Sequence, residues 1–132
     1  MTTIPTGGLL RIALGLDAVM SGATALALVA ASGAIAAITS LPAPLLLACG
    51  VLFLPYTALL AWGLTRESLP RWLVWVLAVG NAVWAVDCAV LPLLGLVSPN
   101  GWGIAFLAAQ AVAVAVFAQM YLTALRRAAR AA

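Results

Sequence analysis

Leu60-Ala61-Trp62-Gly63-Leu64-Thr65-Arg66-Glu67-Ser68-Leu69-Pro70-Arg71-Trp72-Leu73-Val74 places a short charged turn between two tryptophans, and each tryptophan borders a long apolar block. This is how a chain leaves a bilayer and re-enters it. Indole rings favour the headgroup level and charged side chains favour water. Working outward, four blocks have the roughly 20 mainly apolar residues that a membrane-crossing helix needs: 9–29, 44–64, 72–94 and 102–125. Leu41-Pro42-Ala43-Pro44 opens the second block with proline where its missing N–H costs nothing. Ser98-Pro99-Asn100-Gly101 is a turn and N-cap signal before the fourth. The apolar piece 32–39 is too short to span, and it reads as a short helix lying at the outer surface. The expected architecture is all-α: a single domain over residues 1–132, a four-transmembrane-helix bundle running up-down-up-down.

Composition supports the same class. The chain is 67% hydrophobic and 7% charged, against about 25% charged in soluble domains. Its six basic residues are all arginines, too few and too scattered for a patch that tracks nucleic-acid phosphates. They have a better explanation. With four spans, the N-terminus, the middle loop and the C-terminus share one face, and Arg11, Arg66, Arg71, Arg126, Arg127 and Arg130 all fall there. The positive-inside rule then puts both termini in the cytoplasm, so the expected location is a bacterial inner membrane. A cleaved leader is the competing reading of Arg11 and the block after it. That block exceeds the usual length of about 7–15 residues, and Asp17 interrupts it.

No catalytic motif is present, which leans against an enzyme, and no cofactor is expected. The chain has no histidine, and its two cysteines, Cys49 and Cys88, are far apart in apolar blocks. That excludes the usual zinc sites and histidine-ligated haem. Cys49 and Cys88 read as small buried thiols.

Interest therefore falls on polar residues inside the spans. A mid-membrane carboxylate costs about 2.5–3.5 kcal/mol even on the lenient insertion scale, so it faces protein or water. Counting about 1.5 Å per residue puts Asp17 and Tyr56 roughly 12 Å and Asn81 roughly 14 Å from the arginine side. A second layer, roughly 22–24 Å deep, holds Thr24, Cys49, Asp87, Cys88 and Gln110. Asp17, Ser21 and Thr24 are four and three residues apart and share one helix stripe. So do Asn81, Trp84 and Cys88, and so do Gln110, Phe117 and Tyr121. The ligand- or proton-binding candidates are Asp17, Tyr56, Asn81, Trp84 and Asp87, with Ser21, Thr24 and Gln110 in support. The plainer alternative is that these side chains only hydrogen-bond helices together, at well under 2 kcal/mol each, and that Trp84 is filler. Gly15, Ala18, Gly22 and Ala25 form a small-residue seam expected to face a neighbouring helix. Gly15-Leu16-Asp17-Ala18-Val19 is echoed by Gly80-Asn81-Ala82-Val83, and Leu60–Thr65 before Arg66 by Tyr121–Leu125 before Arg126. This pattern is expected of a parallel repeat of helix pairs, and alanine- and leucine-rich sequence also produces it by chance.

The run Leu10-Arg11-Ile12-Ala13-Leu14-Gly15-Leu16, followed by Ser21-Gly22, resembles the first helix of DoxX-like membrane proteins. The layout, with Leu54-Pro55-Tyr56 and Gly80-Asn81-Ala82-Val83-Trp84, is also similar to a group of small bacterial four-helix integral membrane proteins with no assigned role. The resemblance implies the four-helix fold and, through the DoxX-like proteins, quinone-linked redox chemistry. Many of those carry a basic residue shortly after the Ser-Gly pair, where this chain has Ala25. Three functions are open to the sequence. One is binding of a small molecule or lipid in a polar cavity around Asp17, Tyr56 and Asn81, as a proton-linked carrier, since burial away from a cation disfavours the charged form of a carboxyl. The others are an accessory subunit of a larger membrane complex and a quinone-linked redox protein. The expected partner is the lipid bilayer, with room for a homo-oligomer or a larger complex and none for nucleic acid.

Overall fold

Each of the four apolar blocks is a helix in the computed structural model, which describes residues 2–131. They are α1 (Gly8–Thr39), α2 (Ala43–Leu64), α3 (Arg71–Leu93) and α4 (Gly101–Ala131). The chain is 83% helical, and all four helices are long and apolar enough to cross a membrane. The protein is an all-α four-helix bundle of the multi-pass membrane class.

The boundaries follow local chemistry. At about 1.5 Å per residue, the 32 residues of α1 overrun a hydrocarbon layer about 30 Å thick. The helix breaks at Ala31 (φ −135°, ψ 28°). Residues 32–39 are therefore the second leg of a broken α1, where the sequence suggested a separate surface helix. Ser40 closes that leg in the left-handed conformation (φ 59°), donating its N–H to the Ala36 carbonyl. Asn100 caps α4: its side-chain oxygen accepts from the Gly103 N–H at 2.9 Å, and its amide donates to the Ile38 carbonyl at 2.7 Å. The cap thus ties the start of α4 to the end of α1. At the opposite end α4 runs past 125, so Arg126, Arg127 and Arg130 sit on a helical extension of the span.

Two three-residue strands were not legible in the sequence. β1 (Thr3–Pro5) pairs antiparallel with β2 (Ser68–Pro70), Ile4 opposite Leu69. Both are too short and too rich in proline to announce a strand. The clasp drives Ile4 and Leu69 (4% and 0% exposed) into the arginine end of the bundle. It also joins the N-terminus to the middle loop, so these two and the C-terminal end of α4 share one end, with all six arginines. Trp62 and Trp72 are exposed near that end and Trp102 near the other, and the Arg66 guanidinium lies 5.6 Å from the Trp62 ring centre.

Packing is pairwise. α1 lies along α2 and α3 along α4, the two pairs meet through α1 and α4, and α2 and α3 make no comparable backbone approach. Small residues set the α1–α2 seam, though not all those expected. A Cβ on Gly50 would meet Leu28 at 2.8 Å and Val29 at 3.0 Å, and one on Gly22 would meet Thr57 at 3.2 Å. Gly15 corrects the expectation: a Cβ there would enter open space. It lies off the α1–α2 line that Gly22 occupies.

The burial pattern strengthens the repeat. Asp17 and Asn81 are 64 positions apart. The same shift pairs Leu10 with Val74, Ala13 with Leu77, Leu14 with Ala78, Leu46 with Gln110, Gly50 with Val114 and Leu60 with Ala124. Both members of every pair are buried. One shift thus matches part of the inward faces of α1 with α3 and of α2 with α4, as a repeat of helix pairs would, while buried Ala25, Gly63, Ala118 and Leu125 fall on exposed Ala89, Arg127, Leu54 and Ala61.

Candidate functional site

Asp17 is 0% exposed at the level where all four helices meet. Ser21, one turn further along α1, donates to its Oδ1 at 2.9 Å. Its Oδ2 accepts from the Tyr56 hydroxyl of α2 at 2.6 Å and from the Tyr121 hydroxyl of α4 at 2.8 Å. Asn81 of α3 completes the ring. Its amide nitrogen donates to the Tyr56 hydroxyl and to the Leu77 carbonyl, both at 2.8 Å, and lies 3.4 Å from Asp17 Oδ2. That nitrogen has two hydrogens, and the two shorter contacts use them. Asn81 therefore acts on Asp17 mainly through Tyr56.

Uncharged donors thus satisfy a carboxyl group in the middle of a membrane bundle. Arg11 is not its partner: the guanidinium donates to the Thr6 carbonyl at 3.3 Å. Bringing Asp17, Ser21, Tyr56 and Asn81 together confirms the depth-matching made from sequence. Tyr121 is the site residue that matching left out. The stripe Gln110–Phe117–Tyr121 was the signal for it, and a tyrosine five residues before Arg126 reads equally well as an interfacial anchor.

The second polar layer is looser. Gln110 Nε2 lies 3.4 Å from the Thr24 hydroxyl, linking α4 to α1. Asp87 does not join the Asp17 cluster. It is exposed and faces a different cavity. Cys49 and Cys88 are free thiols on the wall of that same cavity.

Two cavities lie between the helices. The inner one, about 230 Å³, is walled by Ser21, Tyr56 and Asn81 on the Asp17 side and by Thr24, Gln110 and apolar groups beyond. The outer one, about 390 Å³, is mainly apolar, with Thr24, Asp87 and Gln110 as its polar features. Phe53 and Trp84 border both, packed edge to face with ring centres 5.2 Å apart and planes at 73°. The sequence favoured Trp84 as filler. Its ring instead forms part of the wall between two spaces, and its buried indole N–H has no hydrogen-bond partner. Under the 64-residue shift Trp84 pairs with Met20 and Phe53 with Phe117, and all four line the inner cavity.

Chemically, the arrangement can bind and orient a molecule with an apolar body and a polar end, the polar end meeting Ser21, Tyr56 and Asn81 on the cavity wall. Among the described residues there is no group of side chains suited to hold a metal ion. Comparisons with protein-family models, with curated proteins and with solved structures found no match.

Proposed function

We propose that the protein binds a small molecule or lipid inside the bundle, in the cavity walled by Tyr56, Asn81 and Ser21, and that Asp17 couples this binding to a proton. One observation carries the reading: a buried carboxyl three of whose hydrogen-bond partners, Ser21, Tyr56 and Asn81, also line a cavity. A purely structural cross-link between helices has no need of a charge-bearing group, since an amide or hydroxyl holds helices together at lower cost. A ligand acceptor that takes the Tyr56 O–H competes with Asp17 for that donor, so occupancy and proton affinity are linked. The test is native mass spectrometry of the full chain extracted in mild detergent, followed by binding of the recovered molecule across pH. Wild type should retain a ligand and release protons or take them up on binding. Asp17→Asn should fold and bind with no proton exchange. If Asp17→Asn keeps the full proton linkage, the assignment of Asp17 is wrong.

The same reading places the chain in a bacterial inner membrane with both termini in the cytoplasm, which the clustering of six arginines at one end supports. Reporter fusions after residue 132 and at Ser68 should score as cytoplasmic, and fusions at Ser98 as periplasmic. A periplasmic C-terminus overturns this orientation.

An accessory-subunit role has one observation in its favour. The outward face of α4 is alanine-rich and carries the exposed Gln119, and a lone amide facing hydrocarbon is costly. A stoichiometric partner that co-purifies from native membranes, and is lost in Gln119→Leu, would favour that role over an independent binding protein.

A further inference from the structure

The pseudo-repeat makes one seam of the bundle a control for another. A two-fold relation between the helix pairs would turn the α1–α4 seam into the α2–α3 seam, yet backbones approach closely at the first and not at the second, which Tyr56–Asn81 and Phe53–Trp84 bridge through side chains. The residues at matched positions differ at the two seams. On the closed side, Gln110 reaches Thr24. Their counterparts on the open side, at the 64-residue shift, are Leu46 and Cys88, which form no such bond. Where α1 has the slender Met20, α3 has Trp84, wedged edge-on against Phe53 of α2. The outer chamber lies behind this seam, and Leu52, 67% exposed, is on its wall.

The chamber also holds a carboxyl group without a partner. Asp87 lines it, and among the described residues no side chain donates a hydrogen bond to its carboxyl. All six arginines are at the opposite end of the molecule. The same wall carries three aromatic side chains, Phe53, Trp84 and Phe106. A carboxylate and aromatic rings around an apolar space are the elements that recognise an organic cation: the carboxylate attracts the charge, the ring faces stabilise it when water is excluded, and the apolar wall takes the body. Its volume of about 390 Å³ suits a small ligand.

We propose that the outer chamber binds a lipophilic organic cation, an amine or quaternary ammonium with an apolar body, which enters from the bilayer between α2 and α3 and pairs with Asp87. This rests on the reading of the bundle interior as a binding site and names the chemistry that its outer half selects. Asp17 is the proton-linked group of the inner cavity, and Asp87 is the cation-recognising group of the outer one.

Three probes with one tail separate the possibilities: decyltrimethylammonium, decanol and decanoate. Each is titrated calorimetrically into the full chain in nanodiscs of zwitterionic lipid, with empty nanodiscs as the blank. Wild type should bind the ammonium saturably, about tenfold or more tighter than the alcohol, a margin that a shielded cation–π and charge contact supplies, and should bind the decanoate worst. Asp87→Asn should remove the preference for the ammonium over the alcohol. Its exposed position makes it a variant expected to fold, and Asp87→Glu should restore the preference. Ala48→Phe, which fills the chamber from α2, should weaken all three probes. Equal binding of ammonium and alcohol in wild type, or a preference that survives in Asp87→Asn, overturns the cation proposal and leaves the cavity reading standing. Absence of saturable binding by every probe, with no ligand recovered from native membranes, overturns both.

Discussion

The two halves of the bundle are built from the same residue types and packed to different ends. At the arginine end, one continuous core runs from Ile4 and Leu69 of the clasp through Leu10, Leu14, Leu60 and Leu77 to Tyr121 and Leu125. In the far half, the fully buried apolar cluster shrinks to Leu28, Leu41, Leu46 and Val97, and the larger cavity occupies the space between. Hydrophobicity does not separate the halves, because lipid takes apolar side chains as readily as a core does. Interdigitation separates them: the closed half is clasped by β1 and β2 and crossed by the Asp17 cluster, and the open half has a broken α1 and a wedge between α2 and α3. A small membrane bundle can thus be a rigid frame at one end and a container at the other.

The sharpest way to break this comparison is a matched pair of truncations. Leu14→Ala in the closed half should cost about 2–5 kcal/mol, the usual range where a cavity is created in a packed core. Leu45→Ala, on the wall of an existing cavity, should cost under about 1 kcal/mol. Reversible unfolding in mixed micelles would measure both, and equal costs would show that the far half is as tightly packed as the near one.

The cluster that divides the halves comes next in size. Asp17→Ala removes the acceptor of the Tyr56, Tyr121 and Ser21 hydroxyls, and should destabilise by about 1–3 kcal/mol through donors left unmet. Tyr121→Phe, which deletes one donor and leaves the carboxyl its others, should cost about 1 kcal/mol. If Tyr121→Phe costs as much as Asp17→Ala, then α4 carries the cluster and the carboxyl is secondary.

A third contrast, ending on the smallest effect, sharpens the boundary within a single turn of α2. Gly50→Ala forces a methyl against Leu28 and Val29, whose nearest atoms stand at 2.8 and 3.0 Å, so it should cost about 1–3 kcal/mol. Its neighbour Cys49→Leu extends into the outer chamber and should change stability by no more than about 0.5 kcal/mol, while lowering the affinity of any ligand there. Both variants are read in the same unfolding titration.

The spans, their number and the shared arginine end were legible in the sequence, because a 30 Å layer without water demands long apolar helices and charge is confined to the turns. Depth was legible too: a fixed rise per residue put Asp17, Tyr56 and Asn81 on one level before any contact was known. Azimuth was not. Whether Gly15 or Gly50 meets a neighbour, whether Tyr121 turns to Asp17 or to the interface, and whether Trp84 fills the bundle or borders a cavity all depend on how each helix is rotated. Hydropathy is uninformative there, because inward and lipid-facing surfaces are both apolar in a membrane protein. The clasp of Ile4 with Leu69 escaped for a related reason, since pairing between segments so distant in sequence leaves no local period. The amino-acid sequence by itself determined a four-helix membrane bundle with two polar layers. The tertiary structure alone decided that one layer closes around Asp17 while the other opens, at Asp87, onto a chamber, because rotation and spacing of helices are set by side-chain packing between segments rather than by the composition of any one of them.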